Sequence, residues 1–216
     1  MINETIIKID SLSKKANNID ILKNISVEFK KGTIYGIVGR NGSGKTMFFK
    51  AICGLINASS GKITVFDKSI EKGAFPENTG VIIENPGFLP QYSAFKNLQI
   101  LASIKNKIDD DTIKSYLNLV TLDPEDKRPV KKYSLGMKQK LGLAQALMES
   151  PELLILDEPM NALDHDSVKL IRKILLDLKA KGVTILLASH NKEDIEQLCD
   201  EIYTMNAGEM ILNKEV

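Results

Sequence analysis

Two short groups of residues carry the types and spacing that could act on a phosphate ester. Gly39-Arg40-Asn41-Gly42-Ser43-Gly44-Lys45-Thr46 fits the pattern G-x-x-x-x-G-K-[ST]. Glycines at these positions let successive backbone N–H groups curl around a phosphate, and a helix opening at Lys45 adds free donors and a positive dipole end. Lys45 can reach the β- and γ-phosphates, the Thr46 hydroxyl can bind Mg²⁺, and Met47 continues the nucleotide-contacting run. The second group is Leu153-Leu154-Ile155-Leu156-Asp157-Glu158, four apolar residues ending in two acids. A buried strand that stops there delivers carboxylates to the edge of a sheet where ligands collect. Asp157 can hold Mg²⁺ directly or through water, and Glu158 can orient and polarise an attacking water. A solvated strand end would read the same way in isolation; pairing with the glycine loop gives the acids their chemical reading.

These groups need a scaffold of strands that end together. Short apolar runs at 33–38, 81–83, 153–156 and 184–188 are continuous rather than alternating, as in parallel strands buried on both faces. Helical patterns at 45–53, 138–148 and 167–179 lie between them. Strand and helix therefore alternate, which predicts an α/β fold with a mostly parallel sheet. Residues 6–9 and 25–29 alternate like strands with one wet face and predict a small antiparallel sheet, joined by 62–66. Residues 86–150 show no strand pattern; helices are expected at 93–104 and 111–120, the second capped by an aspartate within 109–111, as a helical subdomain inserted between two core strands.

Composition sets limits. The chain has 216 residues, 43% hydrophobic and 26% charged, with a net charge of +1, so no bulk electrostatic case exists for nucleic acid or an anionic membrane. Cys53 and Cys199 are too few for a disulfide framework and fit packing positions in a reducing compartment. No apolar run reaches membrane-spanning length, and the segment from Met1 to Asp10 lacks the pattern of a signal peptide.

With these motifs in order, the chain resembles the ATP-binding subunits of ABC transporters along nearly all its length. Tyr133-Ser134-Leu135-Gly136-Met137 stands where that family has its LSGGQ signature, Asn161-Ala162-Leu163-Asp164 resembles the D-loop, and Ser189-His190 resembles the switch histidine. The resemblance implies one ATP-binding domain over 1–216: a P-loop NTPase core with an antiparallel β subdomain and a helical subdomain at about 86–150. It implies head-to-tail pairing, as a homodimer or with a paralogous ATP-binding subunit. Ser134 and the Gly136 N–H would then reach ATP held by the other subunit, and His190 would bond the γ-phosphate and hold Glu158. Transmembrane permease subunits would carry the solute, coupled through the 84–91 loop, with this chain peripheral on the cytoplasmic face. Taken alone, Ser134 also fits an ordinary helix cap and His190 a surface histidine at a strand end.

Three departures from the family pattern stand out. Glu84, in Ile83-Glu84-Asn85-Pro86, takes the place of the usual glutamine, keeping an oxygen for nucleotide or Mg²⁺ while adding a charge. Leu135 and Met137 replace a glycine and a glutamine of the signature. These two forms resemble the bacitracin-resistance and lantibiotic-immunity branch of exporters. No aromatic occurs in 14–22 to stack on adenine, where Ala16 or Ile19 holds the approximate place.

Rival readings remain. Asn191-Lys192-Glu193-Asp194 matches the guanine-reading N-K-x-D of GTPases, yet no aspartate in the chain has glycine three residues on, as D-x-x-G would require. The same four residues fit a capped helix start. An ABC-type ATPase that moves no solute, such as the iron–sulfur cluster-assembly type, is the main alternative. A non-catalytic nucleotide-binding regulator is another, against which the retained Glu158 speaks.

Overall fold

The computed structural model describes residues 4–71, 73–84 and 86–215. Asn85 of the Glu84 loop and Met1 lie outside the described residues. The elements run β1 (Thr5–Ala16), β2 (Ile19–Lys30), β3 (Ile34–Val38), α1 (Lys45–Ile52), β4 (Ser60–Val65), β5 (Lys68–Ser69), β6 (Thr79–Ile82), α2 (Ala94–Lys105), α3 (Asp110–Leu119), a 3-10 turn (Val130–Lys132), α4 (Leu135–Leu147), β7 (Leu153–Asp157), α5 (His165–Ala180), β8 (Thr184–Ala188), α6 (Lys192–Leu198), β9 (Glu201–Asn206) and β10 (Glu209–Glu215).

The central sheet has six strands in the order β10-β9-β3-β8-β7-β6, and a second sheet has four in the order β2-β1-β4-β5. In the central sheet β9, β3, β8, β7 and β6 are parallel, and only β10 runs against its neighbour. The continuous apolar runs have a simple origin. Leu153 and Ile155 of β7 pack with β1, β2, β4 and α1 on one face, while Leu154 and Leu156 pack with the helices on the other. Side chains alternate across a strand, so a strand covered on both sides needs apolar residues at every position. Truncating one of these, such as the fully buried Leu156, to alanine is expected to cost about 2–5 kcal/mol.

The antiparallel sheet is larger than expected. β1 and β2 are 12 residues each rather than the short runs at 6–9 and 25–29. Irregular register between Ile9 and Leu12 shifts the alternation, and Ser11 there has φ 51°, so the polar end of β1 does not read as a strand. Their turn uses Asn17 and Asn18 at φ 49° and 61°, a conformation asparagine tolerates. β9 and β10 were not anticipated from sequence; they close the sheet through a turn at Ala207 and Gly208.

Between β6 and β7 the described residues hold α2, α3, the 3-10 turn and α4, with no strand. Ser93 and Asp109 cap α2 and α3 through their side chains. α4 begins three residues before the expected 138, and α5 two before the expected 167, because Ser134 and Asp164 are the actual caps. Gly80 of β6 lets α4 lie against the sheet: a Cβ there would sit 2.0 Å from the Ala146 carbonyl oxygen. Both cysteines are buried, and burial pushes each thiol up to about 12, leaving it protonated and unreactive. Among the described residues no helix is long and apolar enough to cross a membrane.

Candidate active site

Because β3, β6, β7 and β8 are parallel, the segments that follow them gather at one edge of the sheet. There a cavity of about 430 Å³ is lined by Asn41, Gly42, Gly44, Lys45, Thr46 and Met47 of the glycine loop and α1, with Glu84, Asp157, Glu158 and His190 across from them. The loop's shape depends on two glycines. Gly39 approaches β9 so closely that a Cβ would sit 2.2 Å from the Met205 carbonyl oxygen, and Gly44 turns the chain into α1 at φ 112°.

Lys45 is buried and its ammonium crosses the loop, donating to the carbonyls of Gly39 at 2.7 Å and Arg40 at 3.3 Å. An ammonium has three donors, so one is left for an anion. The Ser43 hydroxyl is buried without a hydrogen-bond partner, as expected of a group that waits for a phosphate oxygen. The Thr46 hydroxyl donates to Asp157 Oδ2 at 2.6 Å, which sets a neutral oxygen beside a carboxylate. No cluster of three or more His, Cys, Asp or Glu that could cage a metal occurs among the described residues. One carboxylate and one hydroxyl suit Mg²⁺, which keeps waters and takes phosphate oxygens rather than an all-protein shell.

Glu158 follows β7 at φ 53°, with its N–H donating to the Ala188 carbonyl at 2.9 Å. The His190 N–H donates to Glu158 Oε2 at 3.2 Å. Glu158 Oε1 is buried 3.1 Å from His190 Nε2 but meets no donor in hydrogen-bond geometry, so it retains an unused acceptor. Burial raises the Glu158 carboxyl above the ordinary glutamate range, opposed by the His190 backbone hydrogen bond and ring. A carboxylate made more basic in this way is a better proton acceptor.

Three cavity-lining residues were not singled out for this edge. Gln139 of α4 donates to the Glu158 carbonyl at 3.1 Å, tying the helical segment to the acid pair. Asn161, noted only within the D-loop resemblance, lines the cavity too. Ile21 lines the cavity where stacking was sought. Neither Ala16 nor Ile19 does, and Ile19 is 68% exposed beside the β1–β2 turn. β1 ends at Ala16 and β2 begins at Ile19, so both sit at the hairpin tip, and β2 borders the site two residues further in, at Ile21. Only the lengthened hairpin shows this.

Ser134 and Gly136 do not line this cavity. Ser134 caps α4 by accepting from the Met137 N–H at 3.2 Å, which leaves its own proton free to donate elsewhere. Gly136 lies against the D-loop, where a Cβ would be 2.8 Å from the Ala162 carbonyl oxygen. Glu84 is held by the Lys50 ammonium at 2.8 Å. The guanine-reading possibility is removed by geometry. Asn191 caps α6 and Asp194, 2% exposed, is paired with Arg172.

Strands that carry a phosphate loop, two acids and a histidine to one edge define a P-loop nucleotide hydrolase. The family model described as ABC transporter matches residues 22–161. The chain is 46% identical over 211 residues to the uncharacterized ABC transporter ATP-binding protein YybJ of Bacillus subtilis (strain 168), covering 97% of each chain. It is 39% identical over 209 residues to the lantibiotic transport ATP-binding protein SrtF of Streptococcus pyogenes, covering 97% of this chain and 90% of SrtF. It is 40% identical over 210 residues to the bacitracin transport ATP-binding protein BcrA of Bacillus licheniformis, covering 96% of this chain and 69% of BcrA. A dimeric ATP-binding cassette, MJ0796, solved with ADP and Pi, shares the fold at a TM-score of 0.87 and 20% identity, covering 97% of this chain and 99% of that one. The chain belongs to the ABC transporter family as an ATP-binding protein that hydrolyses ATP to drive transport.

Proposed function

We propose that this protein is the Mg²⁺-dependent ATPase of an exporter for a peptide antibiotic, acting as a single cassette domain with separate membrane subunits on the cytoplasmic face. The observation that carries the catalytic part is the convergence of Lys45, Thr46, Asp157, Glu158 and His190 on one cavity. Lys45 and the loop N–H groups hold the phosphates. Thr46 and Asp157 would hold Mg²⁺, which would supply positive charge beside the phosphates, and Glu84 lines the same cavity. Glu158 accepts a proton from the attacking water, steadied by His190. Asn41, Gly42, Ser43 and Gly44 shape the phosphate cradle, with Gly39 and Arg40 anchoring Lys45 and Met47 bordering it. Ser134 and Gly136 act on nucleotide in a second subunit, whether an identical chain or a paralogue. Relatives named for lantibiotic and bacitracin transport support the substrate class.

Lys45→Ala is expected to lose ATP binding, whereas Glu158→Gln keeps it and loses about 10²–10⁴ in turnover, roughly 3–5 kcal/mol of barrier. Equilibrium ATP binding and phosphate release, measured on both variants, check this; parental turnover in Glu158→Gln would place the base elsewhere. Recovering the co-purifying membrane protein and comparing cell survival in a lantibiotic and in bacitracin, with and without Lys45→Ala, tests the substrate class. Equal survival in both would point to another solute.

A further inference from the structure

We infer that Arg172, acting through Asp194 and Ser189, positions the His190–Glu158 pair. This inference rests on the reading of Glu158 as the base. Arg172 lies on α5, away from the cavity, yet it is 8% exposed, and Asp194 and Ser189 are 2% and 7% exposed. A buried guanidinium is costly unless it is paired and hydrogen-bonded, and here all three nitrogens donate, through four of the five N–H groups. Arg172 Nε and Nη2 donate to Asp194 Oδ1 at 2.8 Å and 2.6 Å, and Nη1 donates to Glu193 Oε1 at 2.9 Å and Gln197 Oε1 at 3.0 Å.

The carboxylate passes this constraint on. Asp194 Oδ2 accepts the Ser189 hydroxyl proton at 3.0 Å, and the Ser189 oxygen in turn accepts the Asn191 N–H at 3.1 Å. The hydroxyl therefore bridges the residues on either side of His190. The His190 N–H, which lies between those two bridged residues, donates to Glu158 Oε2 at 3.2 Å. The Asn191 side chain already caps α6 through the Glu193 N–H at 2.9 Å, so the turn has its helix start without the ionic chain. What the chain adds is a fixed direction for the His190 N–H and ring. Small misplacements of catalytic groups by remote changes can lower rates about a hundredfold. The arrangement thus makes Arg172 a positioning residue, with Asp194 and Ser189 as its links.

The test uses the full chain and compares the parent, Glu158→Gln, Ser189→Ala, Arg172→Met and the two double variants with Glu158→Gln. ATP affinity, kcat, KM and thermal melting are measured for each. Ser189→Ala removes one link without stranding a charge, and it decides the matter if Arg172→Met does not fold. The expected result is a kcat lowered about tenfold, within the range such misplacement produces, with ATP affinity and KM little changed. In the Glu158→Gln background the same substitution should lower the residual turnover no further, because the group it positions is gone. A purely structural link between α5 and α6 would lower the melting temperature without this dependence on Glu158. Parental kcat in Ser189→Ala beside an impaired Glu158→Gln would overturn the inference alone. An equal fold-loss in both backgrounds would do the same. Parental turnover in Glu158→Gln would overturn the base assignment and this inference with it.

Discussion

Glu84 carries a charge where the resemblance leads one to expect glutamine, and Lys50 answers that charge. Their 2.8 Å contact joins α1, which begins at the phosphate loop, to the segment leaving β6. Glu84 is 61% exposed at its side chain, so the pair is worth at most about 1 kcal/mol. Its interest is electrostatic: the Lys50 ammonium compensates a carboxylate that lines the cavity. Glu84→Gln retains a carbonyl acceptor for Lys50 and frees positive charge near the nucleotide. ATP affinity is expected to stay level or tighten slightly, with any loss confined to transport or partner-stimulated hydrolysis. Titration of ATP with Mg²⁺ checks this. A tenfold weaker affinity would make Glu84 a ground-state metal ligand instead.

At the scale of elements, the path into α4 matters because it carries Ser134. Ahead of it, Asp126 accepts from the Arg128 N–H at 2.9 Å, from Arg128 Nη2 at 2.8 Å and from the Tyr133 hydroxyl at 3.3 Å. The Arg128 guanidinium holds the Asp126 carboxyl down to about 2, from an ordinary 3.8. A depressed carboxylate stabilises the fold fully above the ordinary value and ceases to as pH falls through the folded one. Asp126→Asn should therefore lower stability by about 1 kcal/mol near neutrality, after allowance for solvent around Arg128, and by progressively less between about pH 4 and pH 2. Urea unfolding of parent and variant across that window measures it; a pH-independent difference would show that the clamp is not ionic. The other contact that seats α4 is steric. At Gly80, alanine would have to displace the Ala146 carbonyl, moving α4 from β6.

The whole molecule is a sheet covered on both faces, with its chemistry along one edge and Ser134 away from its own cavity. That separation motivates a test of the composite site. Lys45→Ala and Ser134→Arg proteins each contain two broken sites as homodimers. In a mixed dimer one site combines both lesions, and the other joins an intact phosphate loop to an intact Ser134. Arginine is used because it blocks the approach to a phosphate, whereas alanine would remove only one hydrogen bond, worth about 0.5–3 kcal/mol. Hydrolysis by the mixture at high protein concentration, absent from either variant alone, is the expected outcome. Mixed dimers shown by pull-down to form yet remain inactive would leave Ser134 as a helix cap or require both sites to fire together.

Much of this was legible in the chain itself. The phosphate loop, the acids after an apolar run, and the alternation of strand and helix are local patterns. They survive in sequence because backbone shape and two-sided burial impose residue types on consecutive positions. The Asn191 cap was legible for the same reason. Other features had no local signature. β9 and β10 lie at the sheet's far edge, β1 is broken by a shift in register, and Ile21 reaches the cavity only because β2 is long. Lys50 meets Glu84 from 34 residues away, Gln139 meets Glu158 from 19, and Arg172 meets Asp194 from 22. A lone lysine, glutamine or arginine on a helix reads as solvated surface. Only the packing of α1, α4 and α5 against the strand ends decides which of them faces a buried or shared partner.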